Sequence, residues 1–563
     1  MESTVIDGVT CFWVDSGRPT LGSWLLFRSG SADEPLNESG WLHLLEHSVL
    51  HGKGGGALHV NGFVSPLVTG FETHGPAQQV TRHLREVTSW LADPDFADLD
   101  RERGVLRAEA RMRGGPGERA FAWRYGSRGP GVLAMGEPGL GRATPDRLRD
   151  LAGRVFTRGN AALVLDGPPP DDLDLRLPAG KLLPMRTAVP CEDQLPVWYV
   201  DAAGLVLSGV VARSPGGAVL PELLQRTVRE QFRNREGASY APWSWYEAVD
   251  ADQAVVVVGA DIATEAYPSL AGRAFNLVRH MCTDGPPAEH LRELVESRVQ
   301  ALNDPYNTVA VAARAAYEHL RGRAPMSRDQ MVGELEAITT DDVRDAAWEF
   351  RETLMMGIPG AARVPEKMEQ LLQPTKRGWV SGRRFRHRDW PAVRAYMVVD
   401  ADDAHVVAEP EYQCYHADDV EGLHKFDDGG RHLVTSDGWG FTVNPEEWHG
   451  GDTLVAALDT MVPEDRHLPM PAREGIDHFR RTALLRRWWA ARRAPLGPVL
   501  LGIGSVVLAV VAMALIVSGR LIFGAIWLVW AGMSAKGAVT RWRQRVYRGR
   551  DGSTDPPLPR AGG

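Results

Sequence analysis

The stretch Trp41-Leu42-His43-Leu44-Leu45-Glu46-His47 restricts what this chain can fold into more than any other part of it. A helix brings positions i, i+3 and i+4 onto one face, so His43, Glu46 and His47 converge on one point. Neutral imidazoles are good zinc ligands, and a catalytic zinc takes three protein ligands while keeping one position open for water. The carboxylate between the histidines can take a proton from that water, which makes His43 and His47 the expected ligands and Glu46 the expected general base. A fold that uses this helix must then deliver a third ligand from a distant part of the chain.

Arg101-Glu102-Arg103-Gly104-Val105-Leu106-Arg107-Ala108-Glu109 can deliver it. Two carboxylates separated by two helical turns share a face. Glu109 is the expected third ligand, and Glu102 the group that orients a ligating histidine from behind. With Phe27-Arg28-Ser29-Gly30-Ser31-Ala32-Asp33-Glu34-Pro35, these stretches resemble the pitrilysin, insulin-degrading enzyme and mitochondrial processing peptidase family. Those are inverzincin metallopeptidases, with the ligand order His-x-x-Glu-His. The resemblance implies one zinc ion per chain and a peptide substrate. It also implies that Val60-Asn61-Gly62-Phe63-Val64 is an edge strand beside the metal, to which the substrate adds as a further strand, with Asn61 and Phe63 binding it. Such pairing gains affinity from main-chain hydrogen bonds. The chain departs from the family in Val64, which stands in place of a threonine, and in a short interval from His47 to Glu109, with the missing piece expected in the Gly-rich run after Lys53. That run, His51-Gly52-Lys53-Gly54-Gly55-Gly56, lacks the Gly-Lys-Ser/Thr ending of a phosphate loop and reads as a turn. His51, His59 and His74 lack helical spacing with His43 and read as surface or supporting residues.

A chain of 563 residues exceeds one hydrophobic core. The expected fold class is α+β. Two consecutive pitrilysin-type domains (1–188, carrying the zinc site, and 189–375) form one half of a clamshell, followed by a small β-rich domain (376–472). The second unit contains Arg233-Asn234-Arg235-Glu236-Gly237-Ala238-Ser239-Tyr240, which resembles the family's Arg-Glu-x-x-Gly-Leu-Ala-Tyr. On that analogy Arg233 and Tyr240 reach the substrate and stabilise the tetrahedral intermediate. One chain holding only half a clamshell implies a homodimer, or pairing with a related subunit. In the third unit, Trp379, Trp390, Trp439 and Trp448 read as core packing rather than a binding face.

The net charge of -9 hides an asymmetry: residues 480–550 contain thirteen Lys or Arg and no Asp or Glu, so the body is acidic and the tail basic. An acidic body excludes nucleic acid as the expected partner. A basic juxtamembrane helix (473–495) leads to Leu496–Gly519, an uncharged run long enough to span a bilayer. A second run, Leu521–Ala535, is shorter and workable with local thinning. Arginines on both flanks of 496–536 place both flanks on the cytoplasmic side of the cell membrane as a hairpin, with a basic and then disordered tail at 537–563. No basic-then-apolar leader opens the sequence. Four widely spaced cysteines (Cys11, Cys191, Cys282, Cys414) are expected as reduced, buried thiols. The combined expectation is a membrane-anchored zinc endopeptidase with Glu46 as the base. The alternative is a non-catalytic pitrilysin-like scaffold, or a subunit of a peptide maturation or export system.

Overall fold

Ala254-Val255-Val256-Val257-Val258 and Ala161-Ala162-Leu163-Val164-Leu165 are apolar at every position, so neither face of a strand made from them can be left in water. The computed structural model shows how both faces are covered. It describes residues 1–473, apart from 53–54, 201–203, 305–306, 365–367, 373–381, 391–392 and 409–410. Trp379, nearly all of the expected juxtamembrane helix, both apolar runs and the tail lie outside the described residues. Among the described residues no helix is long and apolar enough to cross a membrane.

The first sheet comprises β1 (Glu2–Ile6), β2 (Val9–Trp13), β3 (Leu21–Arg28), β4 (His59–Val64), β5 (Val68–Gly75) and β6 (Ala161–Leu165), in the order β1-β2-β6-β3-β5-β4. Its helices are α1 (Trp41–Leu50), α2 (Ala77–Ala92), α3 (Leu99–Ala110), α4 (Pro116–Tyr125) and α5 (Pro145–Val155). The second sheet comprises β7 (Val197–Val200), β8 (Leu205–Ala212), β9 (Trp243–Ala248), β10 (Gln253–Ala260), β11 (Met355–Ile358) and β12 (Glu369–Gln370), in the order β12-β7-β11-β8-β10-β9. Its helices are α6 (Pro215–Val228), α7 (Tyr267–Thr283), α8 (Ala288–Asn303), α9 (Val309–Leu320), α10 (Arg328–Glu336) and α11 (Thr340–Glu352). The last five positions of each sheet repeat one topology: β2 and β7 pair parallel with β6 and β11, and every other pairing among them is antiparallel. Thus β4 and β9 are equivalent edges, and α1 and α6 each follow the second of these five strands. Helix α6 starts at Pro215, because the Ser214 hydroxyl caps it by accepting from Gly217 N at 3.1 Å and Pro215 suits the first turn.

One face of each sheet carries its own unit's helices. Leu25, Phe27, Leu163 and Leu165 pack under α1, α2 and α5, while Ala254, Val256 and Val258 pack under α6, α7 and α11. The opposite faces are covered by exchange. Ala312, Ala315, Ala316 and Leu320 of α9 lie on Phe12, Leu26, Ala162 and Val164 of the first sheet. In return, Ala120, Phe121 and Tyr125 of α4 lie on Val206, Val210, Val255 and Val257 of the second. Arg124 of α4 is buried and donates from Nη2 to Ser208 O at 2.8 Å and to Thr353 O at 2.8 Å, fastening the exchange. Each fully buried aliphatic or aromatic side chain contributes about 1.5–3 kcal/mol, so the two units are strongly held as one body.

The third region pairs β13 (Arg383–Arg386), β14 (Ala395–Val399), β15 (Asp403–Ala408) and β16 (Glu411–His416) as one antiparallel sheet. A second sheet follows, of β17 (Val420–Phe426), β18 (Arg431–Thr435), β19 (Gly440–Val443) and β20 (His467–Met470). Helix α12 (Gly451–Met461) shares their core through Leu454 and Leu458, with Trp448 buried beside them. Trp439 meets Trp123 of α4 edge-on at 5.6 Å. The region docks on the first unit through Val434 and Leu468, which pack with Leu36, Ala122 and Met135. Of the cysteines, Cys11 and Cys282 are buried, Cys414 is half-buried and Cys191 is exposed, and none is in a disulfide. The expectation of burial therefore fails at Cys191, which lies in the extended connection between β6 and β7.

Candidate metal centre

Helix α1 is anchored before it presents anything. Gly40 precedes it with φ +86°, a conformation glycine adopts without a Cβ penalty. The buried Glu34 carboxylate accepts from Gly40 N at 2.9 Å and from Leu42 N at 2.7 Å, satisfying amides at the helix start. Burial pushes the Glu34 carboxyl up to about 8, against the lowering effect of those amides. Leu42, Leu45 and Val49 fill the core beneath the first sheet, which turns His43, Glu46 and His47 the other way.

His43, His47 and Glu109 come together as one set of donors, with ligand atoms all within 4.8 Å of one another. His43 Nε2 lies 3.8 Å from Glu109 Oε2, and His47 Nε2 lies 3.6 Å from Glu109 Oε1. A tetrahedral ion with bonds of about 2.1 Å sets neighbouring donors about 3.4 Å apart, so a few tenths of an ångström separate this arrangement from a bound one. Two nitrogens and a carboxylate are also the donor chemistry of a catalytic zinc site, and the set fits that ion. Glu46 Oε2 faces both imidazoles, 3.6 Å from His43 Nε2 and 3.9 Å from His47 Nε2. Burial raises the Glu46 carboxyl above its ordinary value, opposed by the two histidines. Glu109 is about one-third exposed, so the centre opens to solvent on that side.

Each imidazole is gripped from behind. His47 Nδ1 approaches Glu102 Oε2 at 3.4 Å, and the other oxygen of Glu102 accepts from His51 Nδ1 at 2.8 Å. His43 Nδ1 donates to Glu137 Oε1 at 2.9 Å. With Nδ1 protonated by these contacts, Nε2 keeps its lone pair for an ion. Glu137 was not singled out from the sequence. Neither was Arg113, whose guanidinium donates to Glu137 Oε1 at 2.5 Å and lies 3.9 Å from Glu109 Oε2. Burial alone would raise the Glu137 carboxyl, but the hydrogen bonds and charges of His43 and Arg113 outweigh it and hold it low. Glu137 sits at φ +59°, after Gly136 at φ +68°. The Gly136-Glu137-Pro138 sequence signals a turn, but nothing local signals its partner.

The turn is wedged between two surfaces. On one side Gly139 O accepts from Trp41 Nε1 at 2.9 Å, and Gly139 N donates to Ser39 Oγ at 3.1 Å. On the other side Arg142 Nη1 donates to Glu464 O and His467 O of the third region at 3.0 and 2.9 Å.

Strand β4 is an edge of the first sheet, beside α1. Its alternation decides which residues meet the metal helix. A Cβ on Gly62 would lie 2.1 Å from Glu46 Oε1, so Gly62 faces Glu46 and has no room for a side chain. Its neighbours Asn61 and Phe63 therefore point to the other face. There Asn61 is exposed, and Phe63 covers Gly70 and packs near α9. Arg233 and Tyr240 contact each other, guanidinium over ring at 5.4 Å, at the exposed end of the π-helical turn after α6. The structure does not bring them to the His43 cluster of the same chain.

No protein-family model and no curated protein matches this sequence. Solved structures match its fold. A protease from Helicobacter pylori is 14% identical, with a TM-score of 0.51 over 64% of this chain and 99% of that one. An inactive M16 peptidase domain from Pseudomonas fluorescens is 14% identical, with a TM-score of 0.52 over 65% and 99%. The periplasmic protease PqqL from Escherichia coli is 14% identical, with a TM-score of 0.50 over 74% of this chain and 55% of that protein. At such identities the likeness is one of fold, and in fold this chain is a mixed α/β protein built like one clamshell half of an M16 peptidase.

Proposed function

We propose that the chain is a membrane-anchored zinc endopeptidase acting on peptides or unfolded segments. The observation that carries this reading is the convergence of His43, His47 and Glu109 around a gap faced by the buried Glu46. Zinc, when bound there, supplies a Lewis acid and a water of lowered pKa. Glu46 takes the proton from the attacking water and passes it to the leaving amine, a role its buried setting favours. Glu102 and Glu137 hold the imidazoles in the ligating tautomer. The peptide lies along the edge of β4 and pairs through main chain, while the side chains of Asn61 and Phe63 face away from Glu46.

Arg233 and Tyr240 lie apart from the metal cluster of their own chain, which favours a dimer in which the partner's pair stabilises the charge developing on the peptide carbonyl oxygen. The apolar runs of 496–536 anchor the chain in the cell membrane, with the peptidase on the cytoplasmic side. The second reading, a non-catalytic scaffold, is favoured by the fold's occurrence in a domain described as inactive.

The deciding experiment compares Glu46→Gln, His43→Ala and the unaltered chain on a quenched peptide, with metal content measured alongside. Glu46→Gln is expected to lower kcat/KM by about 10²–10⁴-fold with metal retained, and His43→Ala to lose both. An unaltered chain that holds zinc and cleaves no peptide would favour the scaffold.

A further inference from the structure

A second cluster of side chains with metal-ligand chemistry lies in the third region, outside the site described above. Strands β15 and β16 are antiparallel neighbours, with His405 opposite Cys414 and Asp403 opposite His416. Residues two apart on a strand, and residues directly opposite across a pair, share one face. Asp403, His405, Cys414 and His416 therefore form a two-by-two block on a single face of the hairpin. Ala404 and Tyr415, on the alternate parity, point into the core. Ligand atoms of Asp403, His405 and Cys414 all lie within 4.8 Å of one another.

The surroundings suit ligation. His405 is buried, and the Tyr412 hydroxyl pairs with its Nδ1 at 2.8 Å, which leaves Nε2 to an ion. His416 Nδ1 contacts the Asp403 carboxylate from outside. Asp400 Oδ1 accepts from Asp402 N at 3.0 Å and Asp403 N at 2.8 Å, which fixes the turn that delivers Asp403. Sulfur, nitrogen and oxygen donors together match a borderline divalent ion rather than calcium or magnesium.

We propose that Asp403, His405 and Cys414 form a second site for zinc or a similar divalent ion, with His416 positioning Asp403. The site is independent of the peptidase reading, because it shares no residue with the first centre. It has three protein ligands, leaving one position for water or a further donor.

Cobalt(II) is the probe, since only the second site offers a thiolate. The purified full-length chain, stripped with a chelator, is titrated with cobalt. Two equivalents are expected to bind, with a thiolate-to-cobalt charge-transfer band in the near ultraviolet. His43→Ala should lose one equivalent and keep the band. Cys414→Ser should lose the band and the other equivalent while retaining the first, which also reports that the chain is folded. Asp403→Asn should weaken the band-forming equivalent at least about tenfold. Absence of the band at saturating cobalt, or its persistence in Cys414→Ser, would overturn the proposal. If Cys414→Ser binds no cobalt at all, Asp403→Asn decides, and unchanged affinity there counts against the site.

Discussion

Glu137 holds His43 from a backbone conformation that L-residues adopt at a cost of roughly 1–2 kcal/mol, so positioning and stability oppose each other at this residue. Glu137→Gly relieves the strain and removes the carboxylate. The expected outcome is zinc affinity lowered about 10- to 100-fold with a thermal midpoint of the metal-free chain that does not fall, read by chelator competition and by calorimetry. Gly62 gives the complementary case. A methyl group there meets Glu46 Oε1 at 2.1 Å and must push it aside. Gly62→Ala is expected to lower kcat about 10²-fold with metal content unchanged. The residues that read clearly in the sequence are His43, Glu46 and His47, whose meeting is set by helical periodicity alone. Glu102 and Glu109 were legible as a pair on one face for the same reason. Glu137, Arg113 and Gly62 were not, because each meets its partner only through the path of the whole first unit.

Helix α1 shows how an element is tuned from outside itself. Glu34 satisfies the amides at its start, yet its burial raises its carboxyl to about 8. The folded chain thus keeps a proton that the unfolded chain releases near pH 4.3. Stability from this group is fully present below about pH 4.3, falls as pH rises, and is gone above about 8. In the metal-free chain, the thermal midpoint of Glu34→Gln relative to the unaltered protein is expected to rise between pH 5 and 8 and then level off. A gap independent of pH would show that Glu34 is already ionised. The unbroken apolar runs of β6 and β10 demand cover on both faces, but do not say what supplies it. The alanine face of α9 and the Phe121 face of α4 carry no mark that assigns each to the other unit's sheet.

For the whole molecule, the distance between function and sequence is greatest. Arg233 and Tyr240 sit apart from the metal helix of their own chain, so a dimer that closes across them makes a specific expectation. Equal amounts of Glu46→Gln and Arg233→Ala chains, each inactive alone, should on mixing recover about a quarter of the unaltered activity, since half of the dimers are mixed and one of their two sites is whole. No recovery after subunit exchange would place the Arg233 pair in the same chain's site or outside catalysis. The third region, whose strands alternate visibly in the sequence, turns out to brace the Glu137 turn through Arg142. By itself the sequence determined that His43, Glu46 and His47 share one helix face and that Glu102 and Glu109 share another, because those placements depend on a period of 3.6 residues. Only the tertiary structure decided which carboxylate grips which imidazole, which unit's helix covers which sheet, and which residue leaves room for Glu46. Such contacts join residues far apart in the chain, and they exist only once every layer has packed.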